Sequence, residues 1–248
     1  MGNMARRPSL ALLIIVAGAF FLIGLYTALL QGNPTESSPV RPTQPQTAAT
    51  VAPSQSERTL LLIGVDDLST SDPELRAIWL LSFRPPSKDL FLLGIPLDLT
   101  IPGDPPAPIQ AHFSFNYEQG PSESFLEALY RGVPLEADAT ITLDEAGFAQ
   151  AIDYLGGVPI NEATFSGQEV LGILSLSEGD ASASLSLQRR LLDAMSQRAA
   201  EVGASPEITP LVELIPEHLH LSTSINEMVE MMAPALPIQP QTTHIELY

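Results

Sequence analysis

Residues 10–30 read LALLIIVAGAFFLIGLYTALL, 21 residues without a charge, and this run limits the chain's architecture more than any other feature. At 1.5 Å per residue a helix of that length spans about 30 Å, the thickness of a bilayer's hydrocarbon core. Arg6 and Arg7 precede it and the next basic residue is Arg41. The positive-inside bias therefore places residues 1–9 in the cytoplasm and everything after the span outside. A cleaved signal peptide is the competing reading. Its apolar core is ordinarily about 7–15 residues long, and no A-x-A-like site follows Leu30. The expectation is a single-pass anchor in the cell membrane with an extracytoplasmic C-terminal domain.

Residues 31–58 are rich in Pro, Ser, Thr and Gln and nearly devoid of large apolar side chains. Such a segment cannot bury enough surface to offset its ordering entropy, so it reads as a disordered tether. Residues 59–248 remain for one folded domain. With 45% hydrophobic residues overall, the chain can build a sizeable core. Cysteine is absent, which excludes disulfides and thiolate metal sites.

Charge excludes further classes. From Thr59 onward there are seven basic residues (Arg76, Arg84, Lys88, Arg131, Arg189, Arg190 and Arg198) against 27 acidic ones. Nucleic acid binding needs a basic stripe with counterions to release, so no nucleic acid partner is expected. The histidines His112, His218, His220 and His244 lack HExxH-type spacing. His218-x-His220 beside Glu217 reads either as a surface metal pair or, more plainly, as exposed polar residues near a helix start.

Periodicity gives the elements. Thr59–Val65 (TLLLIGV), ending in Asp66-Asp67, has the continuous apolar character of a strand buried on both faces. Arg76–Phe83 and Leu90–Ile95 are two more strands, separated by the turn 84–89. Helices are expected at 122–131, 144–155, 185–201 and 225–232, and a short strand at 139–143. Asp144 caps the second helix and Gly156-Gly157 stops it. This alternation indicates an α/β domain with a central mixed sheet flanked by helices on both faces.

Taken in order, LLLIGVDD, RAIWLLSF, GIPLDLTIPG, HFSFNYEQG, ITLDEAGFAQAIDYLGGVPI, FSGQEVLGILSLSEGD and LQRRLLDAM resemble the LytR-CpsA-Psr (LCP) family of bacterial cell-envelope proteins. The resemblance runs from about Thr59 to Glu246. It implies a phosphotransferase moving glycopolymers from a polyprenyl pyrophosphate carrier to peptidoglycan. It also implies a long apolar cavity for the lipid, acidic residues holding Mg²⁺ and arginines clamping the pyrophosphate. Magnesium takes carboxylate oxygens and guanidinium groups bind phosphate bidentately.

Carried over by position, the resemblance makes Asp66 and Asp98 the metal residues and Arg76, Asp98 and Arg189 the catalytic ones. Trp79, Asn116, Tyr117 and Gln188 become candidates for binding the substrate or lipid, although core packing is the plainer reading of Trp79. Several family positions are neutral here. Ala77 and Ile78 follow Arg76 where the family has Ser and Asp. Leu97 precedes Asp98 in place of an arginine, Ser175 and Ser177 replace an R-x-R pair, and Leu187 stands before Gln188. Asp180 matches a later acidic position. Arg189, one place on, is the nearest substitute cation.

Each such contact on a transferring phosphoryl group is worth roughly 10²–10³-fold in rate. The expectation is therefore a domain with reduced or no transferase activity that binds a polyprenyl lipid or an envelope partner, with no cofactor, or with Mg²⁺ if the ancestral site is retained. An active glycopolymer ligase and a purely structural interaction module are the alternatives.

Overall fold

The structure is a computed structural model that describes residues 57–103, 105–160, 163–177, 180–202, 215–235 and 240–248. The expected span at 10–30 and all of the tether except Glu57 and Arg58 lie outside these residues. Among the described residues no helix is long and apolar enough to cross a membrane.

The apolar runs pair into one six-stranded sheet. Its strands are β1 (Arg58–Val65), β2 (Leu75–Phe83), β3 (Leu90–Ile95), β4 (Ala139–Asp144), β5 (Leu219–Leu221) and β6 (Thr243–Leu247). They lie in the order β5-β4-β1-β2-β3-β6. β1 with β4 and β3 with β6 run parallel, and the other neighbours are antiparallel. The sheet is thus mixed, as expected. β5 and β6 are too short and too polar for periodicity to reveal.

Two-residue alternation splits the core between the faces of the sheet. Leu60, Leu62, Trp79, Leu81 and Phe83 point to one side. There they meet α2 (Glu145–Tyr154), α3 (Gly167–Ser175), α4 (Ala181–Val202) and α5 (Ile225–Met232). Leu61, Ile63, Val65, Ile78 and Leu80 point to the other side, against α1 (Glu123–Gly132) and the loop residues Ile101 and Ile109. β1 and β2 are buried on both faces, which explains their unbroken apolar sequence.

Local signals set the helix ends. Ser122 caps α1 by accepting the Phe125 N–H, and Asp144 caps α2 by accepting the Gly147 N–H. Gly156 and Gly157 end α2 with φ of 75° and 88°, a region open to glycine. α3, absent from the expected elements, starts with a complete capping box between Ser166 and Glu169. α4 begins four residues earlier than expected, at Ala181.

Candidate functional site

The strand directions put the ends of β1, β3, β4 and β6 and the beginnings of β2 and β5 at one edge of the sheet. In open α/β sheets ligands bind beyond the carboxyl ends of strands. Two clefts open here, and the loop from Asp66 to Glu74 is their shared wall. One, of about 630 Å³, is lined by Arg76, Leu97, Asp98, Asp180, Leu185 and Gln188, with Asp72 and Glu74 from the loop. The other, of about 780 Å³, is lined by Ser69, Thr70, Ser71, Asn116, Tyr117 and His218, with Asp144 at its inner end.

Arg76 is the extra residue of a β-bulge. Gly64 pairs with Ala77 and Val65 with Leu75, so Arg76 is skipped in the ladder and its side chain is re-aimed. It is 8% exposed. Its guanidinium lies 2.8 Å from the Glu74 carboxylate, 3.4 Å from Glu145 and 3.9 Å from Asp66. Arg76, the one cation among the described residues lining the smaller cleft, is thus surrounded by three acids, while Asp72, Asp98 and Asp180 face the same space. Burial pushes the Glu145 carboxyl up to about 7. Arg76 pulls it down, and Asp66 and Asp144 push it further up.

The expected site residues divide. Arg76, Asp98 and Gln188 share the smaller cleft. Asn116 and Tyr117 line the other one. Asp66 contacts Arg76, but its Oδ1 accepts the backbone N–H groups of Asp67 and Glu74 at 2.8 and 2.7 Å. Trp79 is 0% exposed and packed so tightly that a Cβ on Gly94 would lie 2.5 Å from its ring. It is core and touches no ligand space. Arg189 is exposed and absent from the cleft lining. A helix turns about 100° per residue, and the face of α4 that reaches the cleft carries Ser184 and Gln188, hydrogen-bonded to each other at 3.0 Å. Arg189 therefore does not substitute for the missing arginines.

The donor set does not suit the divalent cation that the resemblance implies. Among the described residues no three acidic or imidazole groups converge to hold a metal. Asp66 already spends an oxygen on backbone donors, and Ile78, at the second ligand position, is buried in the core. These residues do not form a ready-made Mg²⁺ cage. Ser175 and Ser177 donate to the Gly172 and Leu174 carbonyls at the end of α3, outside the cleft lining.

Sequence reasoning missed the acids and imidazole behind the site. Asp144 is 2% exposed and its Oδ2 lies 3.0 Å from Nδ1 of His218. His218 is therefore an inward-facing partner rather than an exposed polar residue. His220 is half buried, which lowers its pKa, and packs edge-on against Phe115 and Tyr117. Two acids in succession at a strand-to-helix junction, Asp144-Glu145, were the available signal. One caps α2 while the other faces Arg76.

No protein-family model matches the chain. TagU of Oceanobacillus iheyensis, a polyisoprenyl-teichoic acid–peptidoglycan teichoic acid transferase, is 23% identical over 268 residues, covering 96% of this chain and 82% of that protein. Bacillus subtilis TagV has the same fold, with a TM-score of 0.57 at 16% identity over 78% of this chain and 84% of that one. TagT bound to LI-WTA superposes with a TM-score of 0.56 at 14% identity, covering 77% and 78%. The motifs in the family's order, the likeness to TagU along nearly the whole chain and this shared fold together support the resemblance to the LytR-CpsA-Psr family.

Proposed function

We propose that this chain is a membrane-anchored cell-envelope protein whose domain works outside the cytoplasm. It recognises an envelope glycopolymer or its polyprenyl carrier with little or no transfer. The likeness to a teichoic acid–peptidoglycan transferase supports the envelope role, and the uncharged run at 10–30 supports the anchor. One observation carries the loss of transfer. Arg76, the only cation among the described residues lining the smaller cleft, is already neutralised by Glu74, Glu145 and Asp66. A pyrophosphate arriving there would also meet Asp72, Asp98 and Asp180, a net repulsion.

The packing of Trp79 against Gly94 and of Leu185 beneath the cleft favours recognition at the cleft mouth over a prenyl chain threaded between sheet and helices. The convergence of Arg76, Asp98 and Gln188 in one cleft favours the active ligase as the second reading. Binding of polyprenyl pyrophosphate to the full-length protein in detergent separates the two. The expected result is weak binding with little dependence on Mg²⁺, and no glycan transfer to peptidoglycan. A strong Mg²⁺-dependent preference for the pyrophosphate over the polyprenol, or transfer in vitro, would establish the ligase instead.

A further inference from the structure

One wall of the larger cleft takes no part in the reading above. The two-residue strands Phe115–Asn116 and Gly120–Pro121 pair into a small antiparallel hairpin, and its residues 115–118 line the cleft. Against the hairpin lies His220, on the edge strand β5. Its ring meets Phe115 at a centroid distance of 5.4 Å and Tyr117 at 6.1 Å, edge-on in both cases. Gly120, with φ of 83°, comes closer still, since a Cβ there would lie 2.8 Å from Cε1 of His220. The hairpin is seated directly on an imidazole.

The polar atoms of that seat are unsatisfied. Nδ1 of His220 is buried without a hydrogen-bond partner among the described residues, and so is Oγ1 of Thr142, the residue directly opposite on β4. Opposed residues of an antiparallel pair project to the same face, so both atoms lie on the hairpin's side of the sheet. A neutral ring is tolerated there by its aromatic packing. A protonated ring would bring a charge and a further N–H donor into a place without an acceptor, which burial makes costly. The titratable groups on the hairpin, on β4, on the turn before β5 and in the cleft wall are Tyr117 and Glu118, Asp144, Glu217 and His218, and Asp67. None of them hydrogen-bonds Nδ1, and Asp144 is engaged by His218. Burial holds the His220 imidazole below its ordinary pKa. Lifting the hairpin would let water solvate the charge and remove that cost. We infer that the hairpin 115–121 is an acid-released flap on the larger cleft, seated on neutral His220 and freed when that ring takes a proton.

The direction with pH is fixed by the sign of that cost. Free of the hairpin, the ring titrates near an ordinary 6.5. Docking is therefore unaffected above that pH and weakens below it, by at most about 30-fold at pH 5. Hydrogen exchange of the full-length protein in detergent, resolved by peptide at pH 7.5 and pH 5 and divided by the intrinsic rate at each pH, reads this opening. Residues 114–122 should lose protection by about fivefold or more on acidification, while β1 and β2 keep theirs. His220→Gln, which takes no proton, should abolish the change, and His220→Leu supplies the same reading if the first variant does not fold. His218→Asn should retain the change, because the neighbouring pair with Asp144 is not the trigger. Three results overturn the inference: no loss of protection, a loss spread over the whole domain, or a loss that survives at position 220 or vanishes in His218→Asn. Protection that rises with acid also overturns it, since the two rings would then attract the imidazolium more strongly than burial opposes it.

Discussion

Arg76 stands where family position and local chemistry diverge. Its motif position is that of a phosphate clamp, but its charge is engaged by Glu74, Glu145 and Asp66. Glu145 titrates unusually because it is buried, with Asp66 and Asp144 close by, although Arg76 pulls the other way. Its carboxyl, pushed up to about 7 from an ordinary 4.5, binds a proton more tightly folded than unfolded. The resulting cost is absent below about pH 4.5, grows as pH rises and is complete above pH 7. Glu145→Gln removes it. The variant should be more stable than the parent at pH 8, by on the order of 1–2 kcal/mol after allowance for solvent screening, and nearly equal to it at pH 5. Urea unfolding at both pH values is the measurement, and a gain independent of pH would contradict this account. Leu97, beside Asp98 in the same cleft, tests the missing clamp directly. Leu97→Arg should raise pyrophosphate affinity about tenfold, the worth of one charge-assisted hydrogen bond. An unchanged affinity would mean that the cleft has drifted beyond single-residue repair.

Among the elements, β2, β3 and α4 decide how much room lies behind the cleft. Trp79 on β2 fills the space over Gly94 on β3, where an added Cβ would also come within 3.0 Å of Leu185 on α4. Trp79→Ala should destabilise the domain by about 3–5 kcal/mol, the usual cost of emptying a packed aromatic site. Gly94→Val should cost about 1–3 kcal/mol by overpacking. Denaturant midpoints check both. A Trp79→Ala variant with unaltered stability would show that this interior is loosely filled, and would restore the case for a prenyl chain there.

For the whole molecule, topology and charge act together. On the proposed anchor reading, the uncharged run at 10–30, preceded by Arg6 and Arg7, would direct the C-terminus outward. A periplasmic-type reporter fused after Tyr248 should therefore be active, and a cytoplasmic-type reporter silent. The opposite pattern would refute the orientation. The seven basic and 27 acidic residues from Thr59 onward give a domain that repels polyanions at low salt.

Strands β1 to β4, helices α1, α2, α4 and α5 and the mixed sheet were legible in the sequence. Apolar period, caps and the Gly156-Gly157 stop are local signals written in neighbouring residues. The resemblance implied that Asp66, Arg76 and Asp98 lie at one end of the sheet, and Arg76 and Asp98 line one cleft there. β5 and β6 were hidden because three to five residues with exposed polar members carry no clear period, and they form only by pairing with β4 and β3. The Asp144–His218 pair, 74 positions apart, was equally hidden, since no local pattern brings a turn before β5 to the end of β4. The β-bulge that aims Arg76 at Glu145, and the rotation of α4 that turns Gln188 in and Arg189 out, likewise depend on register and packing between distant segments. Local sequence determined most of the elements, and pairing across the sheet the two edge strands. Tertiary structure decided which charges face each other, because Coulombic and desolvation energies depend on distances that only the packed sheet and helices set.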